Sequence, residues 1–132
     1  MHPRLKSELR VQAMLRRAAA QGIFGAVVRR GDDTAGAIFV RLSPDAATAR
    51  LFCAAPGPGT DEQGTPQWIC ATGPDPVSAQ EVEAYLSRRV DVDPDIWIIE
   101  FETAMSGPCL DGAVTDKAPP QEDPLIAQVF KK

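Results

Sequence analysis

Histidine is almost missing from this chain: of 132 residues only His2 carries an imidazole. The side chain that titrates nearest neutrality is thus absent from the body, which weakens every acid–base or His-ligated metal chemistry. Cysteine is scarce as well. Cys53, Cys70 and Cys109 stand far apart, form no Cys-x-x-Cys pair and are odd in number. Neither a structural zinc nor a disulfide framework is expected from them, and no metal or cofactor is assigned. Cys53 and Cys70 fall in apolar, strand-like runs that favour buried thiols, whereas Cys109, after Gly107 and Pro108, is expected nearer the surface. No apolar run approaches the roughly 20 residues needed to cross a bilayer. Met1 to Lys6 lacks the apolar stretch of a secretory signal. A cytoplasmic protein with no membrane partner is the expectation. The Gly/Pro-rich stretch 56–66 lacks a Gly-Lys-Ser/Thr ending and no helical pattern follows it, so it is read as a loop and not a phosphate cradle.

What is present is globular. With 44% hydrophobic and 24% charged residues the chain can bury a core, and its length suits one domain. The net charge of −4 is unevenly spread. Residues 1–50 hold nine Lys/Arg against four Asp/Glu, whereas residues 51–132 hold five against fourteen. Such a split marks either a basic face for an anionic partner or two halves that compensate one another on folding. Compensation is the commoner outcome.

Local patterns place the elements. Ser7 is positioned to cap a first helix whose Val11, Met14, Leu15 and Ala18 form one stripe, and Gly22 is placed to end it. Residues 22–55 then offer three runs rich in Val, Ile and Phe, separated by the polar turns 31–36 and 43–48, which read as an antiparallel meander. Pairing Arg30 with Ala37 and Leu42 with Ala49 puts Phe24, Val28, Phe39 and Phe52 on one sheet face, rimmed by Arg30, Arg41 and Arg50. Arg41 then lies opposite Arg50 and wants an acid nearby, for which Glu100 and Glu102 are the candidates. Residues 67–72 read as a fourth strand. Ser78 to Glu81 is a capping box before a second helix with Val82, Tyr85, Leu86 and Val90 inward, and Ile96 to Glu102 is a last strand. Asp91, Asp93 and Asp95 match the first ligands of a calcium loop, but the glycine such a loop needs is missing, so a plain turn is expected.

These elements predict an α+β fold, a mainly antiparallel sheet of about five strands with two helices, in the order α-β-β-β-β-α-β. One domain is expected over residues 1–104. Residues 105–132 are expected as a Pro-rich extended tail ending in a short amphipathic segment whose Leu125, Ile126, Val129 and Phe130 would dock on the same domain or on a second copy.

Arg4 to Leu9, Leu15-Arg-Arg, the hairpin through Ala35-Gly-Ala-Ile-Phe-Val40, and Asp93-Pro-Asp-Ile-Trp-Ile-Ile-Glu100 together resemble the bacterial family called domain of unknown function 1491, over about residues 4–103. The resemblance implies no catalytic residues, because no activity is attached to that family.

From the residues alone the first expectation is a non-catalytic interaction or homodimerisation module using the aromatic/Arg face, with a second copy or another protein as partner. A nucleic-acid binder using the basic first helix and hairpin arginines is the alternative, opposed by the acidic pI of about 4.9. A small enzyme of unknown reaction is the third, with no nucleophile elbow or metal cluster to support it.

Overall fold

The computed structural model describes residues 5–115. Leu125, Ile126, Val129 and Phe130 lie outside the described residues. Along the chain run α1 (Ser7–Ala20), β1 (Gly25–Arg29), β2 (Ile38–Leu42), β3 (Thr48–Ala54), β4 (Gln67–Cys70), β5 (Val77–Ser78), α2 (Ala79–Val92), β6 (Trp97–Phe101) and β7 (Ala113–Val114). The α+β class holds, with two short strands, β5 and β7, added to the expected order.

The sheet runs β1-β6-β2-β3-β4-β7, with β5 paired to β3. Pairs β2–β6 and β4–β7 are parallel and the others antiparallel. The expected hairpin between β1 and β2 does not form, because β6 lies between them. Trp97, Ile98, Ile99 and Phe101 are all buried, the composition of a strand covered on both faces, whereas β1 contributes Gly25 and Ala26 and takes the edge. The loop after β1 accommodates the insertion. Asp32 donates its N–H to the Asp95 carbonyl, and Trp97 donates its backbone N–H to Ala37 and its indole N–H to the Asp32 carbonyl. Gly31 and Gly36 are required where that loop presses on the backbone of Asp95 and Ile96, since a Cβ at either would collide with it.

The same loop starts α1. Carbonyls of Thr34 and Asp33 accept the N–H groups of Ser7 and Glu8 at 3.1 and 3.0 Å. Ser7 is therefore not a cap. It is the first helical residue, and its hydroxyl donates to the Gly36 carbonyl at 2.7 Å. At the other end Gly22 adopts φ 79°, the left-handed conformation that ends a helix. In α2 the Ser78 hydroxyl accepts from the Glu81 N–H, as the capping box requires.

Two cores result. On one face Val11, Met14 and Ala18 of α1 meet Val40, Leu42, Phe52, Trp68, Trp97, Ile99 and Phe101. On the other Val82, Tyr85 and Leu86 of α2 meet Phe39, Ala49, Leu51, Ile69 and Ile98. Residues 105–115 belong to the body as well, although the expected domain boundary fell at 104. Cys109 is fully buried, not near the surface, and Leu110 joins it in the α1-side core. Asp111 takes a two-point ion pair from Arg10 (2.8 and 3.2 Å) and the Trp68 indole N–H at 3.0 Å.

Candidate functional site

The expected face of Phe24, Val28, Phe39 and Phe52 does not exist as one surface. Val40 pairs with Phe52 and Leu42 with Arg50, one residue away from the expected register. The turn is longer than read. Ser43 donates its N–H to Phe101 on β6, the Asp45 carboxylate accepts from Ala47 and Thr48, and Thr48 and Ala49 already pair with β5. A one-residue shift exchanges every side chain of a strand between faces. Phe52 and Arg50 accordingly sit on the α1 side, the Arg50 guanidinium 5.1 Å from the Phe52 ring centroid. Phe39 is buried under α2 and meets Tyr85. Arg41 is opposite Leu51, not Arg50. Arg30 is exposed, pairs with Glu8 and Asp33, and lies over Trp97.

Phe24 and Val28 remain uncovered, 63% and 58% exposed. Gly25 faces α1, where a Cβ would meet Phe101 and Leu15, so Phe24 and Ala26 point to the opposite face of the sheet. That face is only half roofed. α2 lies chiefly over β3 and β5 and leaves the β1–β6 margin open. Between them runs a groove of about 200 Å³ lined by Val28, Leu86, Val90 and Ile98, with Arg41, Glu83, Ser87 and Glu100 along it. β1 is an edge strand with a register shift between Val27 and Arg29, and such bulged edges resist pairing with another strand. The margin therefore offers side chains rather than backbone.

At the end of the groove Arg41 is held among acids. It stands beside Glu100 in the parallel β2–β6 ladder, its Nε 3.1 Å from Glu100 Oε2 in an ion pair and donating to Ser43 Oγ at 3.0 Å. The Ser43 hydroxyl donates to the same carboxylate at 2.8 Å, and a second guanidinium nitrogen pairs with Glu83 on α2. Glu100, one of the two acids expected near Arg41, is its partner, although the opposed Arg50 that called for an acid is not there. An open basin of about 350 Å³ follows, bordered by Asp45, Glu100 and Glu102. Four carboxylates (Glu83, Glu100, Glu102, Asp45) face this end against the single Arg41, a local balance of −3. Asp45 is held below the usual carboxylate range because the backbone N–H groups of Thr48 and Ala47 bond its charged form. Among the described residues no group of three or more His, Cys, Asp and Glu is arranged to hold a metal ion.

The description DUF1491, protein of unknown function, matches residues 5–111, nearly the whole described body. The chain belongs to the DUF1491 family. A crystal structure of a DUF1491 family protein from Caulobacter crescentus CB15 is 33% identical, covering 85% of this chain and 100% of the relative, with a TM-score of 0.68. The solution structure of protein Atu0922 from A. tumefaciens is also 33% identical, covering 89% of this chain and 100% of the relative, with a TM-score of 0.71. An NMR structure of the Caulobacter family member gives 32% identity and a TM-score of 0.67, with 87% and 100% covered. Among curated proteins none matches. Among the described residues no helix is long and apolar enough to cross a membrane.

Proposed function

We propose that this DUF1491 protein is a non-catalytic protein-interaction module whose docking surface is the half-roofed sheet margin of Phe24, Ala26 and Val28 with the groove running to Leu86 and Val90. The observation that carries this reading is that margin itself: Phe24 and Val28 left in water beside an apolar groove, on a sheet face that α2 only partly covers. The partner favoured by the acidic end is an apolar segment carrying Lys or Arg. A second copy packed face to face would oppose Glu100 and Glu102 to their own counterparts. Edge-to-edge pairing along β1 would leave Phe24 and Val28 still uncovered. The arginines that suggest nucleic acid are engaged at home: Arg10 with Asp111, Arg17 with the Gly107 and Pro108 carbonyls, Arg30 with Glu8 and Asp33. Of these, Arg10–Asp111 joins the basic first part of the chain to the acidic remainder, as Arg41 does with Glu83 and Glu100, and such pairs are the internal compensation that the charge split also allows.

A photo-crosslinking amino acid placed at position 24 or 28 of the full chain, in growing cells, tests the reading. Discrete polypeptide adducts, within the chain or to another, are expected at these positions and not at the exposed helical position 80. Equal or absent labelling at all three would remove the proposed surface.

A further inference from the structure

We propose that the resident occupant of this groove is residues 125–130 of the same chain, so that any other partner must displace it; the inference rests on the docking reading above. Three observations meet here. The first is pattern: Leu125, Ile126, Val129 and Phe130 repeat at the spacing of one amphipathic face, a stripe matched in character to Val28, Leu86, Val90 and Ile98. The second is charge. Lys131 and Lys132 follow the apolar residues directly and suit the end of the groove where Glu83, Glu100 and Glu102 outnumber Arg41.

The third is reach. Thr115 donates its N–H to Trp68 at the opposite side of the sheet, just beyond β7. Carrying the register across from Val114 through Trp68, Ala54 and Ile38 to Trp97 puts Thr115 level with Ile98, which pairs with Arg29 beside Val28. The remaining separation is therefore mostly lateral. Five strand spacings separate β7 from β1, roughly 24 Å at ~4.8 Å each. The nine residues 116–124 span up to about 30 Å when extended. The segment can arrive without leaving its own chain, and an intramolecular ligand of even weak intrinsic affinity gains from its high effective concentration.

The test is methyl NMR on the purified full chain and on its Phe130→Asp variant. The expected result is a shift of the Val28, Leu86, Val90 and Ile98 methyl resonances, with core methyls such as Val11 and Leu42 unmoved. Sedimentation should give the mass of one chain for both proteins. A peptide of residues 121–132 added to the variant should return the groove resonances toward their original positions. Unmoved groove methyls would overturn the inference, as would a two-chain mass that falls to one on Phe130→Asp, since the segment would then serve a neighbour. Neither result touches the docking reading, which stands or falls on the crosslinks from positions 24 and 28.

Discussion

Single side chains in this protein differ sharply in what their removal should cost. Arg41 is almost fully buried and satisfies Glu100, Ser43 and Glu83 at once, so truncating it leaves the partly buried Glu100 carboxylate without its cation. Arg41→Ala should lower unfolding free energy by about 3 kcal/mol, the low end for a broken buried ion pair. Glu83 is a different case, its side chain being 70% exposed. Glu83→Gln should cost under about 1 kcal/mol, as exposed pairs do. Urea titrations of the two variants give the comparison, and similar losses would contradict the geometry. Cys109 supplies a pH signature. Burial pushes its thiol up to about 11 from 9.0, opposed weakly by Arg17. The native state keeps this proton longer than the unfolded chain, which begins to release it near pH 9. Stability should therefore decline from about pH 9 and this contribution be lost by about pH 11. Cys109→Ala should show a shallower alkaline decline of the urea midpoint than the natural chain. Parallel slopes would show that the thiol is not so placed.

At the scale of elements, helices are set by local signals and strands by distant ones. Ser78 accepts from the Glu81 N–H, so Ser78→Ala should destabilise by about 1 kcal/mol in thermal or urea unfolding. Gly36 is held by a close approach instead. A Cβ there would run into the Asp95 carbonyl and Asp32, so Gly36→Ala should cost about 2 kcal/mol or more, and an unchanged midpoint would refute the packing of this loop on the start of β6. The contrast explains how much of the fold was readable beforehand. The stripe Val11, Met14, Ala18, the capping box at Ser78, Gly22, and the alternation of Trp97, Ile99 and Phe101 against Ile98 and Glu100 all depend on neighbours within a few residues. Each stands as read. The insertion of β6 between β1 and β2 depends on which strand can be buried on both faces, a comparison between segments some seventy residues apart. The register of β2 on β3 depends on where β5 draws Thr48 and Ala49 away. Neither fact leaves a mark in the turn 43–48 itself. The candidate face lost Phe52 and Arg50 to that single residue of register and Phe39 to the cover of α2, and of its large apolar members only Phe24 and Val28 stayed in the open.

For the molecule as a whole, the two sheet faces are unequal because the covering elements are unequal. One face carries α1 along β1 and, toward β4, the segment bearing Cys109 and Leu110, so the apolar side chains of β2, β3 and β6 there are closed over and only Val27 on the β1 edge stays half open. The opposite face carries only α2, one helix over a sheet too wide for it, and the β1–β6 margin is left over. Phenylalanines at three places in this arrangement should answer differently to truncation, although they share a residue type and a similar sequence setting. Phe52 lies in the α1-side core and Phe39 in the α2-side core, 1% and 5% exposed. Replacing either by Ala removes a packed ring and leaves a cavity, so each should cost about 3–5 kcal/mol. Phe24 touches no core, and Phe24→Ser should stay within about 0.5 kcal/mol of the natural chain. Chemical denaturation of the three variants separates the arrangements cleanly. A shared aromatic face would make the three losses alike, whereas a sheet with one finished and one half-finished side requires two large losses and one negligible one.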